Sequence, residues 1–382
     1  MRRAVWLLGL CQCILWGVLY YSFSVLLVPM ETALALPRTA VAGAFSVGLL
    51  AMAVLAPAVG RWLDLGHAAN VTRLGMGLAV LGLGIVATAN GAPALYLGWL
   101  CMGIAMACVL YEPAFALVIR AVDDDMHRVR ALAAVTVMGG LASTIFLPII
   151  SVLVEQLGWR AAALVCVGAI VFAALIMEVW VVPSLPASGM SRSKFRSPRS
   201  GEWPRHMRPL VAIFASGTLA SMALTTLLIP LLLQRGVAPS AAALVLAAFG
   251  IAQLPGRVWL LRGRGGMPTH VLKSWPIVFQ VAGLIVVIVS ASPWAMGAGV
   301  AVFGLGSGLH TLSRPWLIQR LYGVADVGRW NGEVARAQGL ARAAGPLLMA
   351  GAAAMSSAPT VLIGIAGVLA ITLPLAIRLP DR

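Results

Sequence analysis

The chain has 382 residues, of which 61% are hydrophobic and only 10% are charged. Ordinary soluble domains are about 45–50% apolar and about 25% charged, so this composition excludes a water-soluble enzyme with a single core as well as a disordered chain. The formal net charge of +15 would suggest a nucleic-acid partner in a soluble protein. In a membrane protein, however, the distribution of cations among the loops has to be considered first.

Twelve long apolar segments follow one another along the chain. A bilayer core of about 30 Å requires roughly 20 apolar residues in a helix, and each segment is too long for a buried strand. The first segment continues beyond the apolar core of a signal peptide, which has about 7–15 residues, so we expect it to remain in the membrane. The predicted transmembrane segments are 4–30, 40–59, 74–90, 94–119, 131–154, 161–183, 209–233, 240–261, 272–291, 293–318, 332–354 and 359–377.

The basic residues predict the orientation of these segments. With the N-terminus inside, the cytoplasmic segments contain 20 Lys and Arg, whereas the outside loops contain only three, Arg38, Arg160 and Arg235. An excess of cations on the cytoplasmic side is the general rule for membrane proteins. We therefore expect both termini in the cytoplasm, and the basic charge requires no nucleic-acid partner.

The one long polar segment, 184–208, is rich in Ser, Pro and Arg and is predicted to be a flexible cytoplasmic linker. It divides the chain into an N-terminal six-helix domain, 1–183, and a C-terminal six-helix domain, 209–382. Short patterns recur in both halves: Tyr-Glu-Pro at 111–113 matches Ser-Arg-Pro at 313–315, for example. Three such matches occur in order, at offsets between 196 and 202 residues, which indicates a duplicated half.

The segment 60–67, with the sequence GRWLDLGH, resembles the G-x-x-x-D-x-G signature of the major facilitator superfamily, and 321–332 resembles its loop between spans ten and eleven. The segments 16–23, 111–115 and 158–160 are similar to bacterial members of its monocarboxylate-porter-like branch. The resemblance implies an all-α membrane protein of the bacterial inner membrane, with twelve transmembrane helices in two pseudo-symmetric six-helix bundles. It also implies that substrate binds between the bundles and is exposed alternately to each side.

The same resemblance implies a cytoplasmic gate formed by Gly60, Asp64 and Gly66, in which the Asp64 carboxylate faces the N-terminus of span eleven and its dipole. His67 and Ala68 stand where the family usually has a basic pair. Arg61, three residues before Asp64, is a candidate substitute for that pair. Arg336 lies about one turn from the inner surface, where a gate role and a substrate role are about equally expected. The gate candidates are Gly60, Arg61, Asp64, Gly66 and Arg336.

Ionisable side chains inside a span are candidate site residues because they are costly in a bilayer. Glu112 lies roughly 10 Å from the inner end of span four and Arg342 roughly 15 Å deep in span eleven, at 1.5 Å per residue. The carboxylate must pair with a cation or be protonated, and the guanidinium must face water or an anion. Arg314 is expected near the inner surface, and His310 lies one turn before it. A structural role is equally open for both.

Four aromatic residues are further candidates. Trp16, Tyr20 and Tyr21 lie in the middle of span one, away from the interfacial belts that such rings usually occupy. Tyr111 adjoins Glu112. A Tyr hydroxyl in hydrocarbon requires a partner, which favours a position facing a cavity over one in simple packing. The substrate-binding candidates are therefore Arg342, Glu112, Tyr111, Arg314, His310, Trp16, Tyr20 and Tyr21.

The sequence contains no P-loop, no nucleophile elbow and no His/Glu metal set. Its five cysteines all lie in apolar segments without metal-ligand spacing. We therefore expect no cofactor, no metal and no enzymatic activity, and transport that is secondary or passive.

The predicted deep site contains the cations Arg342 and Arg314 and the single acid Glu112, which favours a small organic anion as substrate. We expect the carrier to be a monomer surrounded by membrane lipid. Coupling to protons is expected through Glu112 or His310. In one scheme Glu112 pairs with Arg342 in the empty carrier, and an arriving carboxylate displaces it and leaves it free to take up a proton. Two alternatives remain open: an exporter of cationic drugs, with Glu112 as the counter-charge, and a membrane sensor or accessory subunit that does not transport.

Overall fold

The computed structural model describes residues 2–122, 124–184, 203–262, 269–290 and 292–380. Within these ranges the chain is helical and contains no strand. Twelve long helices follow in order: α1 Arg3–Leu34, α2 Arg38–Asp64, α3 Ala68–Ala87, α4 Ala92–Ala121, α5 Met126–Leu157, α6 Trp159–Ser184, α7 Met207–Gln234, α8 Pro239–Arg262, α9 Thr269–Val289, α10 Pro293–Tyr322, α11 Val327–Met355 and α12 Ala358–Ile377.

Ten of these described helices are long and apolar enough to cross a membrane. The other two, α8 and α11, coincide with the predicted spans 240–261 and 332–354. Helix α11 is more polar than its neighbours because it contains Arg329, Glu333, Arg336 and Arg342. The predicted all-α class with membrane-spanning helices is confirmed.

Two of the helices depart from regular α geometry near candidate residues. Helix α1 contains a π-helical segment at Trp16–Tyr21. Helix α4 is interrupted at Leu110, whose ψ is −155°. Pro113 lacks the N–H that would otherwise bond the carbonyl of Val109, and that carbonyl instead accepts a hydrogen bond of 2.6 Å from Nε2 of Gln12 in α1. The interruption thus ties α4 to α1.

The described residues form two compact units. Unit 1 contains those of 1–192 together with Val324–Arg336, and unit 2 contains those of 193–323 together with 337–382. The first turns of α11 therefore belong to unit 1, although they follow ten helices in the chain. The predicted domain boundaries stay a prediction, and residues 185–202 of the predicted linker lie outside the described residues.

The two units share a close helix crossing at equivalent positions. In unit 1, a Cβ added to Gly82 of α3 would lie 2.8 Å from the carbonyl oxygen of Gly98 in α4. In unit 2, a Cβ added to Gly283 of α9 would lie 2.6 Å from that of Gly299 in α10. Each glycine of the second pair follows its counterpart by 201 residues. Small residues allow membrane helices to approach closely, and their repetition supports a duplicated half.

Candidate functional site

The end of α2 binds the start of α11 within unit 1. Oδ1 of Asp64 accepts a hydrogen bond of 2.9 Å from the backbone N–H of Gly328, and Oδ2 accepts one of 2.6 Å from that of Arg329. Gly66 has a φ of 88° and turns the chain immediately afterwards. Asp64 therefore caps the N-terminus of a helix that is distant in sequence, and its charge complements the helix dipole.

Arg120, in the last turn of α4, completes this arrangement. Its Nη2 lies 2.6 Å from Oδ1 of Asp64. The same guanidinium donates to the carbonyls of Leu63 and Ala325, the latter at 3.3 Å. Arg61, the candidate basic partner in the sequence, is exposed, so the arginine that pairs with Asp64 is Arg120. Sequence reasoning counted Arg120 only as a cytoplasmic charge.

Glycines allow the backbones of α2 and α11 to touch. A Cβ on Gly60 would collide with the carbonyl group of Gly328, and a Cβ on Gly332 would lie 2.7 Å from Cα of Pro57. A larger residue at any of these glycines would force the helices apart. Of the other gate candidates, Arg336 forms an ion pair of 2.8 Å with Glu333 of its own helix and is about half exposed. We call this contact, formed by Gly60, Asp64, Arg120, Gly328 and Arg329, the α2–α11 clamp.

The four aromatic candidates lie together in unit 1. The ring centroid of Trp16 is 5.3 Å from that of Tyr20, 6.4 Å from that of Tyr21 and 4.9 Å from that of Tyr111. The π-helical turn brings residue 21 to the same side as residues 16 and 20, because it contains more residues than an α turn. Trp16 is buried, whereas the three Tyr rings are partly exposed.

Glu112 is half-buried in the first turn of the helical segment Tyr111–Ala121. This segment starts after the interruption at Leu110, so its N-terminal dipole favours a negative charge at Glu112. Gly139 of α5 provides the room for the Tyr111 hydroxyl, since a Cβ at Gly139 would collide with it.

In unit 2 the structure places Arg314 in a polar network. The buried guanidinium, 6% exposed as a residue, donates to Oε1 of Gln338 in α11. Nε2 of Gln338 in turn donates to Oγ1 of Thr218 at 2.8 Å and to the carbonyl of Phe214 at 3.3 Å. Three helices, α7, α10 and α11, thereby hold one guanidinium in a fixed position. We call this the Arg314 network.

The remaining candidates of unit 2 are His310 and Arg342. His310 is buried one turn before Arg314, and its ring packs edge-on against that of Phe214 at a centroid distance of 4.6 Å. Arg342 is half-buried on α11 and makes no hydrogen bond or ion pair with the described residues of its own unit. Glu112 and Arg342 belong to different units.

Unit 2 lacks acidic residues throughout its described part. Between residues 203 and 380 the sequence contains only Asp326 and Glu333, and both belong to the segment assigned to unit 1. Unit 2 nevertheless buries Arg257, Lys273 and Arg314. Arg257 donates to the neutral Oε1 of Gln253 at 3.0 Å. The acid count was available from the sequence, and it shows a charge asymmetry that motif reasoning missed.

Groups of His, Cys, Asp or Glu that could hold a metal ion are absent from the described part of the chain. The five cysteines are free thiols, four of them buried.

Comparison with known proteins gives a family and a fold. A model of the Major Facilitator Superfamily matches residues 5–272. Among curated protein sequences, none matches the chain.

Three solved structures are similar over nearly the whole chain. The human organic anion transporter MFSD10 (TETRAN) is 16% identical with a TM-score of 0.74, covering 97% of this chain and 98% of that one. The E. coli fucose:proton symporter FucP is 14% identical with a TM-score of 0.75, covering 99% and 98%. The proton:xylose symporter XylE is 11% identical with a TM-score of 0.73, covering 97% and 94%. At these identities the likeness is one of fold.

Proposed function

Because the chain belongs to the major facilitator superfamily, and is thus a multi-pass membrane transporter rather than an enzyme, we propose that it is a secondary transporter of a small organic anion of the monocarboxylate type. It works by alternating access in the bacterial inner membrane, as a monomer with both termini in the cytoplasm, and is coupled to protons.

The observation that carries this proposal is the Arg314 network, in a unit whose described residues include no acid. An arginine keeps its charge, and Gln338, itself anchored to Thr218, holds this buried guanidinium in a fixed orientation. A fixed cation in a span attracts an anionic substrate. The planar fork of an arginine suits a carboxylate in a bidentate geometry.

The α2–α11 clamp supplies a cytoplasmic gate in this proposal. It consists of one charged cap, one ion pair and glycine contacts, none of which is covalent, so it can open and close. Glu112 supplies the proton site, since it is the acid deepest in a predicted span and is half-buried. Its competition with substrate for Arg342 remains a prediction.

The main test measures ligand binding to the purified protein in detergent. A ligand that binds only the native state raises the melting temperature, so we expect monocarboxylates to raise it more than dicarboxylates, inorganic oxyanions or cationic drugs. Arg314→Gln should abolish the shift. The matched control is Arg320→Gln, which removes an exposed arginine that stacks on Trp316 of the same helix at 4.9 Å, and it should leave the shift intact. Equal loss in both variants would contradict a specific anion site.

One observation favours a second candidate, the export of organic cations. The ring of Trp16 packs against those of Tyr20 and Tyr111, and Tyr111 precedes Glu112 in the chain. Aromatic faces together with a carboxylate suit an ammonium group. In this case cationic drugs would give the larger thermal shift, and Glu112→Gln would abolish it. A non-transporting sensor would bind its ligand but show no flux in proteoliposomes.

Topology is tested by labelling. Single cysteines at 191–201 should react only from the cytoplasmic side, and those at 235–239 only from outside. The reverse labelling would overturn the proposed orientation of all twelve helices.

A further inference from the structure

Two side chains of α1 are buried in unit 1, and each has a polar atom without a hydrogen-bond partner among the described residues. Gln12 is 1% exposed, and its Oε1 is not bonded. Trp16, one turn later, is 8% exposed, and its Nε1 is not bonded. Most buried polar atoms in proteins are bonded, either to other protein atoms or to ordered water. The two unbonded atoms on one turn of helix therefore indicate a ligand.

The hydrogen-bonding character of both atoms is fixed. Nε2 of Gln12 donates to the carbonyl of Val109 in α4 at 2.6 Å, which settles the orientation of the amide. The unbonded atom of Gln12 is thus its carbonyl oxygen, which can only accept a hydrogen bond, whereas the indole Nε1 of Trp16 can only donate one. The ligand atom must accept from Trp16 and donate to Gln12. A hydroxyl or water oxygen does both.

The spacing of the two side chains suits one bridging oxygen. Residues four apart on a helix lie on the same face, with Cβ atoms about 5–6 Å apart, and two hydrogen bonds through one oxygen span about the same 5–6 Å. The carbonyl of Val109 is a third polar group at this place. Pro113 has no N–H to bond it, and Gln12 occupies only one of its two lone pairs. Three partners are the usual number for a buried water.

Aromatic rings enclose this turn of α1. The ring of Trp16 packs against that of Tyr111 in α4 at a centroid distance of 4.9 Å. The next residue, Gly17, lies so close to the ring of Phe146 in α5 that a Cβ on it would collide with that ring. A ligand bound among these helices has to be small. This requirement selects water over a hydroxyl group that belongs to a larger molecule.

We propose that Gln12, Trp16 and the carbonyl of Val109 bind one resident water molecule at the interruption of α4. This water fixes the indole of Trp16, against which the rings of Tyr20 and Tyr111 pack. The site goes beyond the proposed function, because it is the same whether the transported molecule is an anion or a cation.

Radiolytic footprinting of the full chain in detergent tests for this water. X-rays generate hydroxyl radicals from water, so a side chain shielded from bulk solvent is oxidised where a bound water lies against it. We expect Trp16 to be oxidised severalfold faster than Trp99. Trp99 is the matched control because it is 0% exposed, has an unbonded Nε1 and packs against the rings of Phe23 and Phe45. The residues four before and four after it have no polar side chain. Equal oxidation of the two tryptophans would overturn the water site.

A variant separates bound water from the slight exposure of Trp16. Gln12→Leu removes both polar atoms of the amide and keeps a side chain of similar size. The oxidation of Trp16 should fall to the level of Trp99, because the water loses one partner and the group that holds the interruption. The control is Gln280→Leu, which removes a glutamine of unit 2 that is also 1% exposed with an unbonded Oε1. It should leave the oxidation of Trp16 unchanged. Undiminished oxidation of Trp16 in Gln12→Leu would contradict the proposal.

Thermal unfolding gives a second measurement that does not depend on oxidation. Gln12→Leu and Trp16→Phe each leave the other side chain with a polar atom and only part of its bridge, and an unsatisfied partner costs more than the loss of both partners together. The double variant should therefore lower the melting temperature by less than the sum of the two single changes, as expected for coupled residues. Additive changes would show that no common ligand joins Gln12 and Trp16.

Discussion

Arg73 near the start of α3 and Lys273 near the start of α9 occupy equivalent positions, 200 residues apart, but bind different groups. Arg73 forms a bidentate ion pair with Glu178 at the end of α6, at 2.9 and 2.5 Å, and both side chains are about half exposed. Lys273 is buried and donates to the carbonyls of Ile377 and Leu379 at the end of α12, at 3.1 and 2.8 Å. At this position a carboxylate binds the cation in unit 1, and backbone carbonyls bind it in unit 2.

The same contrast recurs at the ends of α4 and α10. Arg120 pairs with Asp64, whereas Arg320, 200 residues later, lies over the ring of Trp316 at 4.9 Å. Among the described residues, the carboxylates that pair with cations at these helix ends belong to unit 1, which also binds the start of α11.

The largest effect is expected from removing the carboxylate of the α2–α11 clamp in unit 1. Asp64→Asn removes the charge that binds Arg120 and the α11 dipole. Losing hydrogen bonds to a charged group costs about 1.5–3 kcal/mol, which corresponds to a roughly ten- to hundredfold change in the closing equilibrium. Transport in proteoliposomes should slow accordingly, while ligand affinity stays within a few-fold. Glu178→Gln, which removes an exposed acid of the same unit, is the control. Unchanged flux in Asp64→Asn would remove the clamp from the mechanism.

The second prediction compares the two equivalent cations directly. Lys273→Met leaves two carbonyls at the end of α12 without their donor and should cost about 1–3 kcal/mol of stability. Arg73→Met breaks a solvent-exposed pair, and such pairs contribute little, so its melting temperature should match that of the parent. Thermal unfolding in the same detergent measures both. Equal losses of stability in the two variants would show that burial does not determine how much each cation contributes.

The sequence predicted the helices of this fold well, because long apolar segments leave few other structures in a bilayer. It predicted that Asp64 would face the start of α11, through a motif resemblance. It did not identify Arg120 as the partner of Asp64, since 56 residues separate them and only the packing of α4 against α2 brings them together. Arg61 was the nearer candidate but is exposed.

Other parts of the candidate site depend on departures from regular geometry. The π-helical turn that gathers Trp16, Tyr20 and Tyr21 has no sequence signal that we recognise. The interruption of α4 could have been inferred from Pro113. The hydrogen bond from Gln12 to the carbonyl of Val109, which the interruption leaves without its helical partner, could not. The absence of acids from the described part of unit 2 needed only a count along the sequence.

The third prediction concerns the C-terminal ends of α3 and α9, where an arginine donates to backbone carbonyls in both units. Arg160 donates to the carbonyl of Ala89 after α3 at 2.6 Å, and Arg235 donates to those of Ser290 and Ile288 around the end of α9, the latter at 3.2 Å. A cation at a helix C-terminus stabilises its carbonyls and dipole. Arg160→Gln and Arg235→Gln should therefore each cost a similar amount, about 1 kcal/mol, by thermal unfolding. A loss of stability in only one variant would show that the two units are similar in helix packing but not in how these helix ends are stabilised.

The smallest effect is expected at Asp124, before the first turn of α5 in unit 1. Its Oδ2 accepts a hydrogen bond of 2.8 Å from the backbone N–H of His127 and lies 2.8 Å from Nδ1 of the same residue. The backbone hydrogen bond, followed by the side-chain contact, lowers the pKa of Asp124 below its ordinary value of 3.8. The resulting stabilisation is complete above pH 3.8 and is lost as the pH falls through the lower value of the folded state.

Because Asp124 is fully exposed, the change should be confined to the first turn of α5 and should appear as faster amide exchange at residues 126–130 below that pH. Asp124→Ala should exchange faster at every pH, since it removes the cap. Asp124→Ser keeps an uncharged capping oxygen, so protection should persist but no longer depend on pH in this range. The helix starts of unit 2 contain no described acid, and their exchange should show no such acid transition. A matching transition in unit 2, or its survival in Asp124→Ser, would mean that the carboxylate of Asp124 is not its origin.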